Sequence, residues 1–174
     1  MKTGFAKIEI TPPLGSNLNG YYRERYADHV IEPLYVTSVA YSDGENTALT
    51  ISLDISEILQ RDTNDIREKV SKHTGIPFEA IFLACIHTHT APVISEIRGF
   101  FKRDEEYYNE FCDKICCCAA DAIADLKESD VEESVHIVAQ MGEEPFIKAL
   151  ESGANVILAG RSYDPCEFSA LAIS

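Results

Sequence analysis

Along residues 5–10 apolar and polar positions alternate, as they do in a half-exposed strand, and Thr11-Pro12-Pro13 ends the run because proline cannot donate to a ladder. Residues 35–41 and 47–53 are rich in β-formers, and Asp43-Gly44-Glu45-Asn46 between them is turn chemistry, so the pair predicts a β-hairpin. The period then changes. Asp62-Thr63-Asn64-Asp65 opens a predicted helix, with acidic and amide groups at the positive end of its dipole. Ile66 and Val70 share a face, Lys72 and His73 fall in the last turn, Gly75 suits a left-handed cap and Pro77 follows. Residues 80–86 are apolar at successive positions and predict a strand buried between layers, running on to His87-Thr88-His89 before Pro92 stops it. From Asp104 a long helix is expected, since Tyr108, Phe111, Ile115, Ala119, Ala122 and Leu126 make one apolar face. After residue 130 the texture changes again, to strand (135–139), helix (145–150) and strand (155–159), a unit in which parallel pairing is expected. The fold class that follows is α/β: a mixed β-sheet with flanking helices, one compact domain with an appended strand-helix-strand unit.

Composition narrows this. The chain has 174 residues, enough for one ordinary domain, and is 45% hydrophobic, which marks a globular chain. A formal net charge of -14 argues against nucleic acid or an anionic membrane surface as the main partner, because both need a basic patch. No apolar run is long enough to span a bilayer, and the first residues lack the apolar core of a secretory signal. Six cysteines are present, four of them at 112, 116, 117 and 118. Without an export signal, reduced thiols in a cytoplasmic protein are expected. Consecutive helical residues point about 100° apart, so Cys116, Cys117 and Cys118 do not share an ion, and buried small side chains are the expectation for this group.

Candidate chemistry gathers at residues 87–89. Side chains of a strand alternate faces, so His87 and His89 are expected on the same side. Two imidazoles at a strand's end suit a metal or an acid/base pair. Asp54, ending the second hairpin strand, is placed either as an orienting partner for a metal-bound histidine or as a cap for the segment that follows. Residues 14–28 form a long loop in which Asn19-Gly20-Tyr21-Tyr22-Arg23 either lines a pocket or is ordinary surface. His73 is read as a helix C-terminal histidine. Arg161 and Asp164, after the last strand, are either a site or a local ion pair.

Ile8-Glu9-Ile10-Thr11-Pro12-Pro13, Asn19-Gly20-Tyr21, Pro33-Leu34-Tyr35-Val36, Ser52-Leu53-Asp54 and His87-Thr88-His89-Thr90-Ala91-Pro92 come in the order found in the N-terminal domain of the neutral/alkaline (non-lysosomal) ceramidase family. Residues 3–128 resemble that domain. The resemblance implies a zinc-dependent amide hydrolase in which His87 is a zinc ligand and His89 lies beside it, ligating or assisting catalysis, with Asp54 orienting. It implies Zn2+ as cofactor and a small-molecule amide or lipid substrate. The family's remaining ligands, a second histidine, a glutamate and a tyrosine, lie further along than this chain reaches, so the site is expected to be incomplete here. An oligomer or a complementing chain is one way to complete it. Residues 134–170, with His136-Ile137-Val138-Ala139-Gln140-Met141-Gly142 and Gly153-Ala154-Asn155-Val156-Ile157, resemble instead the acyclic terpene utilisation (AtuA-like) family. The expected division is a ceramidase-like metallohydrolase fragment over 1–130 and an AtuA-like segment over 131–174. Two further readings stand beside the hydrolase: a non-catalytic or scaffolding fragment, and a protein of acyclic terpenoid or acyl-CoA catabolism.

Overall fold

In the computed structural model, residues 1–21, 23–96, 102–129 and 144–152 are described. The chain divides into two compact units, Met1–Asp130 and Val131–Ser174. The first holds a five-stranded sheet in the order β4-β3-β2-β1-β5. Its strands are β1 (Lys2–Glu9), β2 (Tyr35–Ser42), β3 (Thr47–Leu53), β4 (Ile81–Cys85) and β5 (Lys127–Glu128). β1 pairs antiparallel with β2, and β2 with β3. β4 joins β3 in parallel, after a crossover through helix α1 (Gln60–Thr74). The sheet is therefore mixed, and the fold is α/β.

Each element follows from local chemistry. The β2–β3 turn is held by the Asp43 carboxylate, which accepts from the backbone N–H of Glu45 (2.9 Å) and Asn46 (2.7 Å), with Gly44 at φ 101°. Helix α1 closes on Gly75 in the left-handed conformation, as its sequence predicts. Its start differs from expectation. It begins at Gln60, and Leu59 at the cap makes no side-chain capping bond. Asp62 is buried in the first turn, accepting from Ser95 Oγ (2.7 Å) and pairing with Arg103 (3.1 Å). Helix α2 (Glu105–Ala124) begins on Asp104, whose carboxylate accepts from the N–H of Glu106 and Tyr107.

α1 and α2 pack against each other and cover one face of the sheet. Val36, Ala40, Leu49, Ile51 and Leu53 from the strands meet Ile66, Val70, Phe111, Ile115 and Ala119 from the helices. At Gly4 the approach of β1 to α2 is so close that a Cβ would lie 2.1 Å from the Ala122 carbonyl oxygen. Cys112, Cys116 and Cys118 are core residues of α2, whereas Cys117 is exposed.

β4 departs from the sequence expectation. It is an edge strand of five residues, not a strand between layers, and Phe82 on its uncovered face is 63% exposed. Its apolar run is buried on the side facing the helices alone. Residues 86–96 leave the strand and run as a loop with a buried stretch at 91–95. In the second unit, helix α3 (Glu144–Glu151) covers the helix expected near 145–150. The flanking strands expected at 135–139 and 155–159, with Arg161 and Asp164, lie outside the described residues. No helix among the described residues is long and apolar enough to cross a membrane.

Candidate functional site

His87 and His89 are brought together, though not by strand alternation. The strand has ended, and His87 adopts φ 65°, the left-handed region that a side-chain-bearing residue rarely enters. The ladder guides the chain into this bend: Ile86 N–H donates to the Leu53 carbonyl (3.0 Å) and His87 N–H to the Ile55 carbonyl (3.1 Å). The two rings stand nearly perpendicular, at 84°, with centroids 4.8 Å apart. Their Nε2 atoms are separated by 3.3 Å.

The chemistry of the pair follows from its other contacts. His87 Nδ1 lies 2.9 Å from the Ser56 carbonyl oxygen. A carbonyl only accepts, so Nδ1 carries the proton, and the Nε2 lone pair is turned toward His89. Such an arrangement fixes a metal-ligating tautomer. Two zinc–nitrogen bonds of about 2.0–2.1 Å at a tetrahedral angle span about 3.3–3.4 Å. The observed 3.3 Å separation falls in that range; without a metal it is a hydrogen bond in which His89 Nε2–H donates to His87 Nε2. Among the described residues, no group of three His, Cys, Asp or Glu side chains is arranged to hold a metal. Burial holds the Cys112 and Cys118 thiols above the ordinary range and pushes Cys85 and Cys116 up to about 11.

Asp54 accepts from Tyr35 N–H through Oδ2 (2.9 Å), while its own N–H donates to the Tyr35 carbonyl (2.9 Å). It thereby fastens the end of β3 to the start of β2. It also lines a cleft of about 800 Å³ beside the histidine loop, together with Leu18, Arg25, Ile86, Thr88 and Thr90. His73 is exposed in the last turn of α1.

The loop at 14–28 is more organised than its composition suggests. Gly15 N–H to Ala27, Ala27 N–H to Ser16 and Leu18 N–H to Arg25 close it into an irregular hairpin. Leu18 bridges Pro92, and Asn19 N–H donates to the Ala91 carbonyl (2.9 Å), so the hairpin lies along the segment after the histidines. At its tip the Gly20 backbone meets the His89 ring, and Tyr21 approaches that ring edge-on, with centroids 5.7 Å apart. Two participants were not singled out by sequence. Ser56 acts through its backbone carbonyl, which its side-chain identity does not advertise. Arg25 reaches His89 across 64 residues, and the Gly-aromatic-Arg stretch of the loop, Gly20 to Arg23, points at its neighbour Arg23 instead.

Comparison with known proteins agrees with this geometry at the level of fold. The chain is similar to neutral ceramidase from Pseudomonas aeruginosa, with a TM-score of 0.64, 20% identity, 72% of this chain covered and 22% of that one. It is similar also to a ceramidase complexed with C2, with a TM-score of 0.63, 20% identity, 72% of this chain and 21% of that one. The chain thus spans about a fifth of the length of these enzymes. No curated protein matches it. Residues 109–174 match the family model of the acyclic terpene utilisation family protein AtuA. That match begins inside α2, a helix whose core-facing side belongs to the first unit. The chain therefore combines a ceramidase-like α/β fold with a C-terminal stretch similar to AtuA.

Proposed function

We propose that residues 1–130 carry the zinc-binding histidine corner of a ceramidase-like amide hydrolase, with His87 and His89 as donors. The observation that carries this reading is the 3.3 Å convergence of the two Nε2 atoms, with His87 held in the required tautomer by the Ser56 carbonyl. Zinc, when bound, supplies Lewis-acid polarisation of a carbonyl and a water acidified to near neutral pKa. The chain's own residues do the rest. His87 keeps its Nδ1 proton on Ser56 and presents Nε2; His89 presents the second nitrogen. A cleft that neither histidine lines, walled by Leu18, Ile86, Thr88 and Thr90 of the same loops, is the space nearby for an apolar part of a substrate bearing an amide. Asp54, fixed on Tyr35, is one of that cleft's lining residues. A lipid amide suits the mixed lining and the ceramidase-like fold.

A second reading is a non-catalytic module, favoured by the two-donor site among the described residues. Zinc per chain separates the two. The hydrolase reading expects close to one zinc in the purified protein and its loss in His87→Ala and His89→Ala, with short-chain amide hydrolysis lost in parallel. Wild-type protein that stays metal-free when zinc is offered overturns it. The similarity of residues 109–174 to AtuA supports a role in terpenoid catabolism for that stretch, and removing residues 134–174 tests whether any activity depends on it.

A further inference from the structure

We propose that Arg25 is a positioning residue for His89, acting with Gly20 and Tyr21 as a three-sided brace; its relevance to metal binding rests on the reading above. The guanidinium donates from one nitrogen, Nη2, to two backbone carbonyls, that of His89 (2.5 Å) and that of Asn19 (3.2 Å). A charged donor on a carbonyl makes a stronger bond than a neutral one, and the planar guanidinium that carries it also stacks on an aromatic face. The same guanidinium lies over the Tyr21 ring, 4.0 Å from its centroid, and that ring meets the His89 imidazole at 84°.

The third side is Gly20. At φ 100° its backbone lies so close that a Cβ would stand 2.6 Å from His89 Cγ. The His89 ring is thus bounded by Gly20 and Tyr21, while Arg25 holds both its main chain and the tyrosine behind it. Arg25 is itself built in. Its carbonyl accepts from Leu18 N–H (2.8 Å), and Asn17 bridges Tyr26 beside it. Its Nε is buried and has no hydrogen-bond partner among the described residues. An imidazole two positions beyond a left-handed His87 has no regular element to hold it, and the brace supplies that constraint.

The experiment is nitrogen-15 NMR of the histidine rings in full-length, metal-free protein, followed by titration with zinc alone, for wild type, Arg25→Gln and Arg25→Lys. The expected result is a change in the His89 ring resonances in both variants. The resonances of His73, on the exposed end of α1, and of the α2 amides stay in place. Zinc affinity is expected to fall about 10- to 100-fold, the usual effect of losing a partner that orients a ligand. Lysine does not rescue, because its shorter side chain has no planar group to lie over Tyr21 while a donor reaches the two carbonyls. Unchanged His89 resonances in Arg25→Gln overturn the proposal. If wild type binds no zinc but its His89 resonances still depend on Arg25, the brace stands and the zinc reading fails. Should Arg25→Gln not fold, Gly20→Ala applies the displacement from the other side, and an unmoved His89 ring in that variant overturns the brace equally.

Discussion

His87 carries its ring on a backbone that costs it about 1–2 kcal/mol, since a side chain in the left-handed region crowds its own carbonyl. The bond from Nδ1 to the Ser56 carbonyl returns about 0.5–1.5 kcal/mol, and the two backbone bonds to Leu53 and Ile55 fix the bend around it. Strain of this kind at a residue poised against a second imidazole is consistent with a site kept for its geometry. It also sets an unusual order of stability. Both His87→Ala and His87→Gly lose the Ser56 bond, but only glycine relieves the strain. His87→Gly is expected to be about 1 kcal/mol more stable than His87→Ala in urea unfolding, the reverse of the order at an ordinary position. An alanine variant at least as stable as the glycine one contradicts the strained conformation. The chemistry at this scale was half legible: a His-Thr-His triplet after an apolar run pointed to paired imidazoles. The way they meet was not, because a left-handed histidine and a backbone carbonyl partner leave no mark in side-chain pattern.

Among the elements, α2 is the one that fixes the sheet. Its apolar stripe was readable at spacings of three and four, and Cys112, Cys116 and Cys118 take their place in the stripe as small buried side chains whose thiols burial holds above the ordinary range. The contact it makes with β1 was not readable. Gly4 looked like any glycine near a chain start, yet its missing side chain lets the strand lie against the Ala122 carbonyl. Gly4→Ala puts a methyl carbon against backbone that has no rotamer to give, so a loss of about 1–3 kcal/mol is expected in thermal or urea unfolding. A substitution within 0.5 kcal/mol of wild type, the usual range at an unconstrained surface position, contradicts that packing. The start of α1 tells the same story. An aspartate near a helix start reads as a cap, but Asp62 is claimed by Ser95 and Arg103, 33 and 41 residues away. That cluster ties the start of both helices to the buried stretch that follows the histidines.

For the whole molecule, the core cluster among the described residues lies in the first unit, and α1 and α2, which cover its sheet, fall within it. A chain ending at residue 130 is therefore expected to fold by itself, with a cooperative transition and the same ratio of zinc to protein as the full chain. Loss of cooperative unfolding on that truncation would show that residues 131–174 supply part of the core. The family match that begins at residue 109 makes this test informative, because it assigns to the C-terminal similarity a helix that the first unit uses as its own.

The sequence by itself determined the α/β class, the hairpin of β2 and β3, both long helices and the pairing of His87 with His89 as the candidate chemistry. These rest on local period, turn residues and caps, all of which act within a few residues of one another. Tertiary structure alone decided the rest. β4 became a half-covered edge strand because both helices pack on one side of the sheet, and a run of apolar residues does not say on how many sides it will be covered. β5 arose as two residues recruited by β1. The loop at 14–28 became a brace for His89 because Leu18, Asn19 and Arg25 find partners more than 60 residues away, and contacts between distant segments write no period into either of them.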